Sequence, residues 1–405
     1  MKYEHLYSKT ATSIKASAIR ELLKIIARPE IISFAGGLPD PQLFPNKEIS
    51  QLLQKVMAEH STEALQYGTT EGQKALKDAL LELTKEYEGV SLRPENLLIV
   101  SASQQGLDMC SRIFLNRGDA IITASPTYLG GLQAFEAAGA EVHGAEGDEF
   151  GMTAAGVEKC LQRLQAAGKQ CKFIYVVPDF QNPTGTTLPQ ARRIEILKLA
   201  EKYNTLILED SPYRQVRFEG TAPDTFLKLD GGKGYVITLF TFSKVFVPGF
   251  RLGYIAGPAP VIQRCVILKQ AMDLCTSPFL QLAAAAYLKG GYLGKHIQDI
   301  VAMYRKKRDF MLQMLDKYMP ACVKWTRPEG GLFLWVTVPE KIDTQKMLEV
   351  AVKEQQVAYV AGVDFYPPGM ARRNDLRLNF SYPSFEQIEQ GVQRLAATIK
   401  KCLDK

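Results

Sequence analysis

Between about residues 96 and 257, short apolar runs alternate with stretches of helical period. The runs are Leu97 to Val100, Ala120 to Thr123, Phe173 to Val177, Leu206 to Glu209, Tyr235 to Phe240 and Leu252 to Ala256, with Ser, Pro, Gly, Asn or Asp soon after each. Several are apolar at every position, as strands buried on both faces are. Plausible helices lie between them, among them Gln104 to Asn116 and Pro189 to Tyr203, the second opening with Pro in its first turn. The pattern predicts an α/β fold, a mostly parallel sheet sandwiched by helices. Residues 1–45 hold one short helix candidate, Ala18 to Ala27, stopped by Pro29, and then the irregular stretch Phe34 to Pro39. After about residue 290 come a long amphipathic segment, Gly294 to Tyr318, and alternating strands at Leu332 to Val338, Val357 to Val360 and Leu376 to Phe380, which predict a smaller α+β domain. The expected division is an N-terminal segment 1–45, a large domain 46–289 and a small domain 290–405. Arg305-Lys306-Lys307-Arg308 falls inside the amphipathic segment and reads as its solvated face.

Composition narrows the function. The 405 residues suit two domains, and 46% hydrophobic with 23% charged residues is ordinary for a globular chain. A net charge of +6 is too dilute over this length to mark a nucleic-acid or membrane binder. The N-terminus, Met1-Lys2-Tyr3-Glu4-His5, is polar where a secretory signal is apolar, and no run approaches the length of a membrane span, so a cytoplasmic protein is expected. Seven scattered cysteines without a Cys-x-x-Cys pair argue against disulfides and thiolate metal sites, and the four histidines are too far apart to suggest zinc. The expectation is small-molecule chemistry without a metal.

The chemistry-bearing residues sit where the predicted strands end, the place open α/β sheets put their ligands. Lys244 follows an apolar strand among Phe240, Phe242, Phe246 and Phe250, and Arg251 comes seven residues later. Burial beside another cation lowers an amine's pKa and makes it a nucleophile fit for a Schiff base. Arg251, with the hydroxyls of Thr241 and Ser243, has the donors to hold a phosphate. Read as surface loop residues, Lys244 and Arg251 need no such role. Asp210 suits a cationic ring nitrogen, whereas a helix N-cap or a turn before Pro212 is the commoner role of an isolated Asp-Ser-Pro. Asn182-Pro183-Thr184-Gly185 is by itself a good turn. Ser101-Ala102-Ser103-Gln104 opens a helix, which offers N–H groups to an anion or is simply capped.

Together and in order, Ser103-Gln104, Pro126-Thr127-Tyr128, Asn182-Pro183-Thr184-Gly185, Asp210-x-x-Tyr213, Ser243-Lys244 and Gly249-x-Arg251-x-Gly253 resemble the class I aminotransferases, pyridoxal-phosphate enzymes of fold type I. The N-terminal Ile14 to Leu23 and Ser33 to Pro39 are similar to the subgroup of 2-aminoadipate and kynurenine aminotransferases. The resemblance implies that Lys244 is the Schiff-base lysine and proton carrier, and that Asp210 keeps the pyridine nitrogen protonated. It implies that Asn182 and Tyr213 bond the ring's phenolic oxygen and that Tyr128 stacks on the ring. Ser103, Gln104, Thr241, Ser243 and Arg251 would hold the phosphate, with Tyr67 reaching it from the other subunit of a homodimer. Arg377 and Asn182, with Gly37, would bind the substrate, Arg377 taking its α-carboxylate; without the resemblance, Arg377 reads as an ion-paired edge-strand residue. Cis peptides are implied at Ser125-Pro126 and Asn182-Pro183. The implied reaction is a ping-pong exchange between an L-amino acid (2-aminoadipate, glutamate, aromatic or branched-chain) and a 2-oxo acid, with 2-oxoglutarate as acceptor. A β-lyase or decarboxylase of related fold shares the lysine and aspartate. A cofactor-sensing regulator needs an N-terminal DNA-binding unit, and about 45 residues precede the large domain.

Arg20 belongs by helical period with Lys24, opposite Ile19, Leu22, Leu23 and Ile26, which reads as a solvated face. The resemblance implies instead that the N-terminal segment covers the active site and that Arg20 pairs with the distal carboxylate of an acidic substrate. Arg20→Ala is then expected to raise KM for glutamate and 2-aminoadipate by an amount worth about 1 to 3 kcal/mol, with leucine and phenylalanine little changed. Steady-state kinetics with the four donors check this, and a uniform effect would make Arg20 a support of its helix.

Overall fold

The computed structural model describes residues 3–13, 28 and 30–404. At its centre is a seven-stranded sheet in the order Leu97–Val100, Gly253–Ala256, Val236–Thr241, Leu206–Asp210, Cys171–Val176, Ala120–Ala124 and Glu141–Ala145. Gly253–Ala256 is antiparallel to both neighbours, and the remaining pairings are parallel. Leu97–Val100, Ala120–Ala124 and Gly253–Ala256 are buried at every position, because helices pack against the sheet and leave these strands no wet face. The α/β architecture is therefore the one that the apolar runs predict.

Local boundaries shift for identifiable reasons. The helix expected at Gln104 spans Ala102–Phe114, and the one expected at Pro189 spans Gln190–Lys202. Pro189 precedes this helix in an extended conformation (φ −62°, ψ 152°) rather than lying in its first turn. Glu141–Ala145 was not predicted, since this edge strand buries only Ala145 and carries no apolar run. The helix candidate Ala18 to Ala27 lies outside the described residues.

The second sheet has four antiparallel strands in the order Lys324–Trp325, Phe333–Thr337, Asp375–Asn379 and Val360–Ala361. The single strand expected over Val357 to Val360 is split. Val357–Ala358 pairs in parallel with Ile32–Ser33, while Val360–Ala361 joins the four-stranded sheet. Tyr359 is buried between them and donates to the Thr344 carbonyl at 2.7 Å. One hydrophobic core joins the two sheets, from Leu98 and Ile255 to Val336 and Leu378. Among the described residues no helix is long and apolar enough to cross a membrane.

The run of cations at 305–308 corrects the sequence reading. It lies in the helix Tyr292–Tyr318, and Arg305 and Lys306 are exposed, but Lys307 and Arg308 are each only 4% exposed. Tyr304, Lys307, Arg308 and Met311 follow the i, i+3, i+4, i+7 spacing of one helix face, so the two cations share the buried stripe. Lys307 donates to Asp40 Oδ2 at 2.6 Å and to the Ser381 carbonyl at 2.9 Å. Arg308 donates to Glu219 Oε1 at 2.7 Å and to the Pro328 carbonyl. Lys307→Ala strands the Asp40 carboxylate and is expected to cost about 3 to 5 kcal/mol of stability. Arg305→Ala is expected to stay within about 0.5 kcal/mol of the parent, and urea denaturation of the two variants measures the contrast.

Candidate active site

The carboxyl ends of the central strands open onto one cleft of ≈ 510 Å³. Lys244 stands three residues beyond Val236–Thr241, half-buried between the buried Ser243 and Val245. Its Nζ donates to the Gly37 carbonyl at 2.8 Å. Burial, and then the nearby cations Arg377 and Arg251, push its pKa down to about 8 from the ordinary 10.5. The amine is thus half uncharged at about pH 8, where an ordinary lysine is almost wholly protonated, and so has the neutral form that a nucleophile or general base needs.

Asp210 closes Leu206–Asp210 and is 2% exposed. Tyr175, on the adjacent strand, donates its hydroxyl to Asp210 Oδ2 at 2.9 Å, while Oδ1 has no partner among the described residues. Burial pushes the carboxyl up to about 7, and the Tyr175 bond works against that rise. A buried oxygen without a partner is costly unless a ligand supplies one.

Arg377 occupies the middle of Asp375–Asn379, between two other strands of the small sheet, and not on an edge. It donates to Asn182 Oδ1 at 2.9 Å and to the Ala35 carbonyl at 2.6 Å. Its guanidinium lies 4.2 Å from the Phe333 ring centroid and 5.3 Å from that of Phe365. Tyr213 packs edge-on against Phe333 with centroids 5.9 Å apart. Among the described residues no carboxylate pairs with Arg377, so its charge is available to a ligand's anion.

At the other end of the cleft the helix Ala102–Phe114 begins with no side-chain cap. Ala102 sits in the left-handed region (φ 60°) and packs tightly on Gly253, where a Cβ would lie 3.0 Å from Ala102 Cα and 2.4 Å from the Phe240 carbonyl oxygen. Glycine at 253 therefore lets the helix start beside the strand end. Thr241 Oγ1 and Ser243 Oγ are 3.0 Å apart, and both line the cleft with Ser103, Gln104 and Arg251. Free helix N–H groups, two hydroxyls and a guanidinium form an anion cradle.

The structure thus gathers Ser103, Gln104, Tyr128, Asn182, Asp210, Tyr213, Thr241, Ser243, Lys244, Arg251, Arg377 and Gly37 in one cleft. Ser125-Pro126 and Asn182-Pro183 are both cis. Tyr67 stands apart from the cleft lining, 80% exposed, and Arg20 lies outside the described residues. Sequence reasoning missed Tyr175, Phe333 and Phe365. All three read as ordinary strand or core aromatics, and only long-range packing sets them beside Asp210 and Arg377.

An anion cradle, a buried carboxylate with one open oxygen, a lysine of lowered basicity and a guanidinium without a carboxylate partner match the pieces of pyridoxal 5′-phosphate joined to an amino acid. Fold and site together define a pyridoxal-phosphate enzyme of fold type I. Residues 32–395 match the family "Aminotransferase class I and II", and the chain belongs to that family. It is 44% identical to aromatic-amino-acid aminotransferase 1 of Thermococcus litoralis, over 100% of this chain and 96% of that one. The structure superposes on a kynurenine aminotransferase of Pyrococcus horikoshii in complex with PMP with a TM-score of 0.95 at 43% identity, covering 99% and 98% of the two chains. The α-aminoadipate aminotransferase of Thermus thermophilus, complexed with N-(5′-phosphopyridoxyl)-L-leucine, gives 0.91 at 33% identity over 100% of both. The protein is a pyridoxal-phosphate-dependent aminotransferase.

Removing the Arg377 charge by Arg377→Met is expected to move the Lys244 titration of the apoenzyme upward from about 8 but not back to 10.5, because burial is the larger cause. The pH dependence of Lys244 modification by a neutral amine reagent checks this, and an unmoved midpoint would deny the contribution.

Proposed function

We propose that the enzyme exchanges an amino group between an aromatic or large apolar L-amino acid and 2-oxoglutarate by a ping-pong cycle, with acidic donors accepted through Arg20. The observation that carries this is the convergence of the Lys244 amine, the open Asp210 oxygen and the Arg377 guanidinium on one cleft. The cations lining it, among the described residues, are Lys244, Arg251 and Arg377, and each has a task already. The side-chain region of the substrate then meets Leu38, Leu129 and Phe333, which favours an apolar or aromatic group. The name of the Thermococcus litoralis relative supports the same preference.

In this reading Ser103, Gln104, Thr241, Ser243 and Arg251 hold the cofactor phosphate, and Tyr67 of a second subunit completes the cradle in a homodimer. Asn182 and Tyr213 direct hydrogen bonds to the ring oxygen, and Tyr128 covers the ring face. Bound there, pyridoxal 5′-phosphate supplies the carbonyl that links to the amine and the electron sink for the pair left at Cα. Arg377 grips the substrate α-carboxylate with a two-pronged donor and Gly37 lies close by, which fixes the Cα–H bond toward Lys244. Lys244, deprotonated near its pKa of about 8, takes the Cα proton and redelivers it as a general acid. Asp210, kept as a carboxylate, stabilises positive charge at the ring nitrogen. The N-terminal segment 1–45 would complete a small domain at 290–405, with 46–289 as the cofactor-binding domain. A cytoplasmic location accords with this chemistry.

Single-turnover mixing of the holoenzyme with each candidate donor, without acceptor, tests the proposal. The expected result is one equivalent of 2-oxo acid per site, largest in rate for aromatic and leucine-like donors, and a full cycle once 2-oxoglutarate is added. Release of product beyond one equivalent, or of carbon dioxide, would point to a lyase or a decarboxylase. Lys244→Ala is expected to abolish the borohydride-reducible protein–cofactor link and turnover together. Asp210→Asn should keep the cofactor and lose most activity, and turnover within a factor of about three of the parent would remove that role.

A further inference from the structure

We propose that Tyr175 is a positioning residue for the cofactor ring: its hydroxyl occupies Asp210 Oδ2 and thereby leaves Oδ1 as the one oxygen presented to the pyridine nitrogen. The inference rests on the reading of Asp210 given above and extends it to a residue that does not line the cleft.

The geometry is specific. Tyr175 is 0% exposed on Cys171–Val176, the strand paired in parallel with Leu206–Asp210, and its hydroxyl lies 2.9 Å from Asp210 Oδ2. The ring is held edge-on against Phe135 at a centroid distance of 5.0 Å, so it has little room to turn away. It also borders Gly131, where a Cβ would meet the ring carbons at 3.0 Å and the hydroxyl at 3.1 Å. Asp210 Oδ1, by contrast, is buried and without a partner among the described residues.

A carboxylate with both oxygens open can rotate about its last torsion and offer either one. With Oδ2 held by a rigid phenol, the plane of the carboxyl is set before a ligand arrives. The same bond favours the ionised form of Asp210 against the burial that disfavours it. The other titratable groups around the cleft are Tyr128, Tyr213, Lys244, Arg251 and Arg377, and of these Tyr128 and Tyr213 act electrostatically on Tyr175. Among the described residues only Tyr175 has a hydrogen bond to Asp210 Oδ2.

The test compares the apoenzyme's affinity for pyridoxal 5′-phosphate with that for the carbocyclic analogue in which CH replaces the ring nitrogen. Tyr175→Phe, which keeps the packing against Phe135, is expected to reduce the preference for the true cofactor by about tenfold, the effect of losing one hydrogen bond to a charged group. Binding of the analogue should change little. In parallel, infrared titration of the Tyr175→Phe apoenzyme should place protonation of the Asp210 carboxyl at higher pH than the parent's value of about 7. Gly131→Ala, which crowds the hydroxyl without removing it, should shift both readouts the same way by a smaller amount, and it serves if the phenylalanine variant fails to fold. Asp210→Asn separates the two layers of the argument. If that variant keeps the full preference for the ring nitrogen, the reading of Asp210 itself fails. If Asp210→Asn loses the preference and Tyr175→Phe retains it, or weakens both ligands equally, Tyr175 is only a packing residue.

Discussion

The cleft exists because the segment from Phe34 to Asp40 has almost no regular structure of its own and must find partners for its backbone elsewhere. The Phe34 N–H donates to the Ala358 carbonyl, and the Phe34 carbonyl accepts from the Asn379 N–H. The Ala35 carbonyl takes Arg377, the Gly37 carbonyl takes Lys244, and the Leu38 carbonyl takes the Ser381 hydroxyl at 2.9 Å. The Asp40 N–H donates to the Tyr304 hydroxyl at 2.8 Å, and its carboxylate binds Lys307. One extended stretch is thus stitched to the small sheet, to the helix Tyr292–Tyr318 and to the lysine just beyond the end of a large-sheet strand. The wall it makes holds Gly37, Leu38 and Pro39 against the cleft.

Two buried aspartates show how the same side chain can be matched by cations in one place and left unmatched beside a cavity in another. Asp179, 1% exposed, lies three residues before Asn182 and meets Arg193 at 2.8 Å, with Arg214 and Arg217 both at 3.3 Å. Burial acts to raise its pKa, and the three guanidiniums overcome that and hold it below the ordinary carboxylate value. Arg214 is paired in turn with Glu88 at 2.5 Å and Arg217 with Glu329 at 3.4 Å, so at the base of the Asn182 turn three guanidiniums meet three carboxylates. Asp210 receives a single neutral donor and no cation, and it is pushed the other way. An unmatched charge next to a cavity is poised for a ligand, whereas a matched one is poised to hold its surroundings still.

The site also depends on aromatic planes. Phe333 lies under Arg377 and meets Tyr213 edge-on, so one side chain orients a guanidinium and a phenol that both line the cleft. Phe365 approaches the same guanidinium and packs with Trp335 and Leu129, tying the small sheet to the residue that follows Tyr128. These contacts limit how Arg377 can move without giving it a competing anion.

How much of this was legible depended on whether the signal was local. The apolar runs at Leu97, Ala120, Leu206 and Val236 were plain because a strand covered on both faces is mostly apolar, whatever it packs against. The residues at their carboxyl ends, Asp210, Asn182 and Lys244, were legible from their order along the chain, since that order follows the strands that carry them. The half-exposed edge strand Glu141–Ala145 left no such mark. Nor did the burial of Lys307 and Arg308, because a charged run looks solvated until Asp40 and Glu219, far away in sequence, are brought to it. Helical period alone placed those cations on one face, and only tertiary packing decided that the face was buried. The same holds for Tyr175 and Phe333: local pattern made them strand residues, and the folded chain put one beside Asp210 and the other beneath Arg377. The sequence by itself determined the fold class, the position of the cleft at the strand ends and the residues able to do chemistry there. The tertiary structure decided which charges are matched and which are left open, because that depends on partners that no local period encodes.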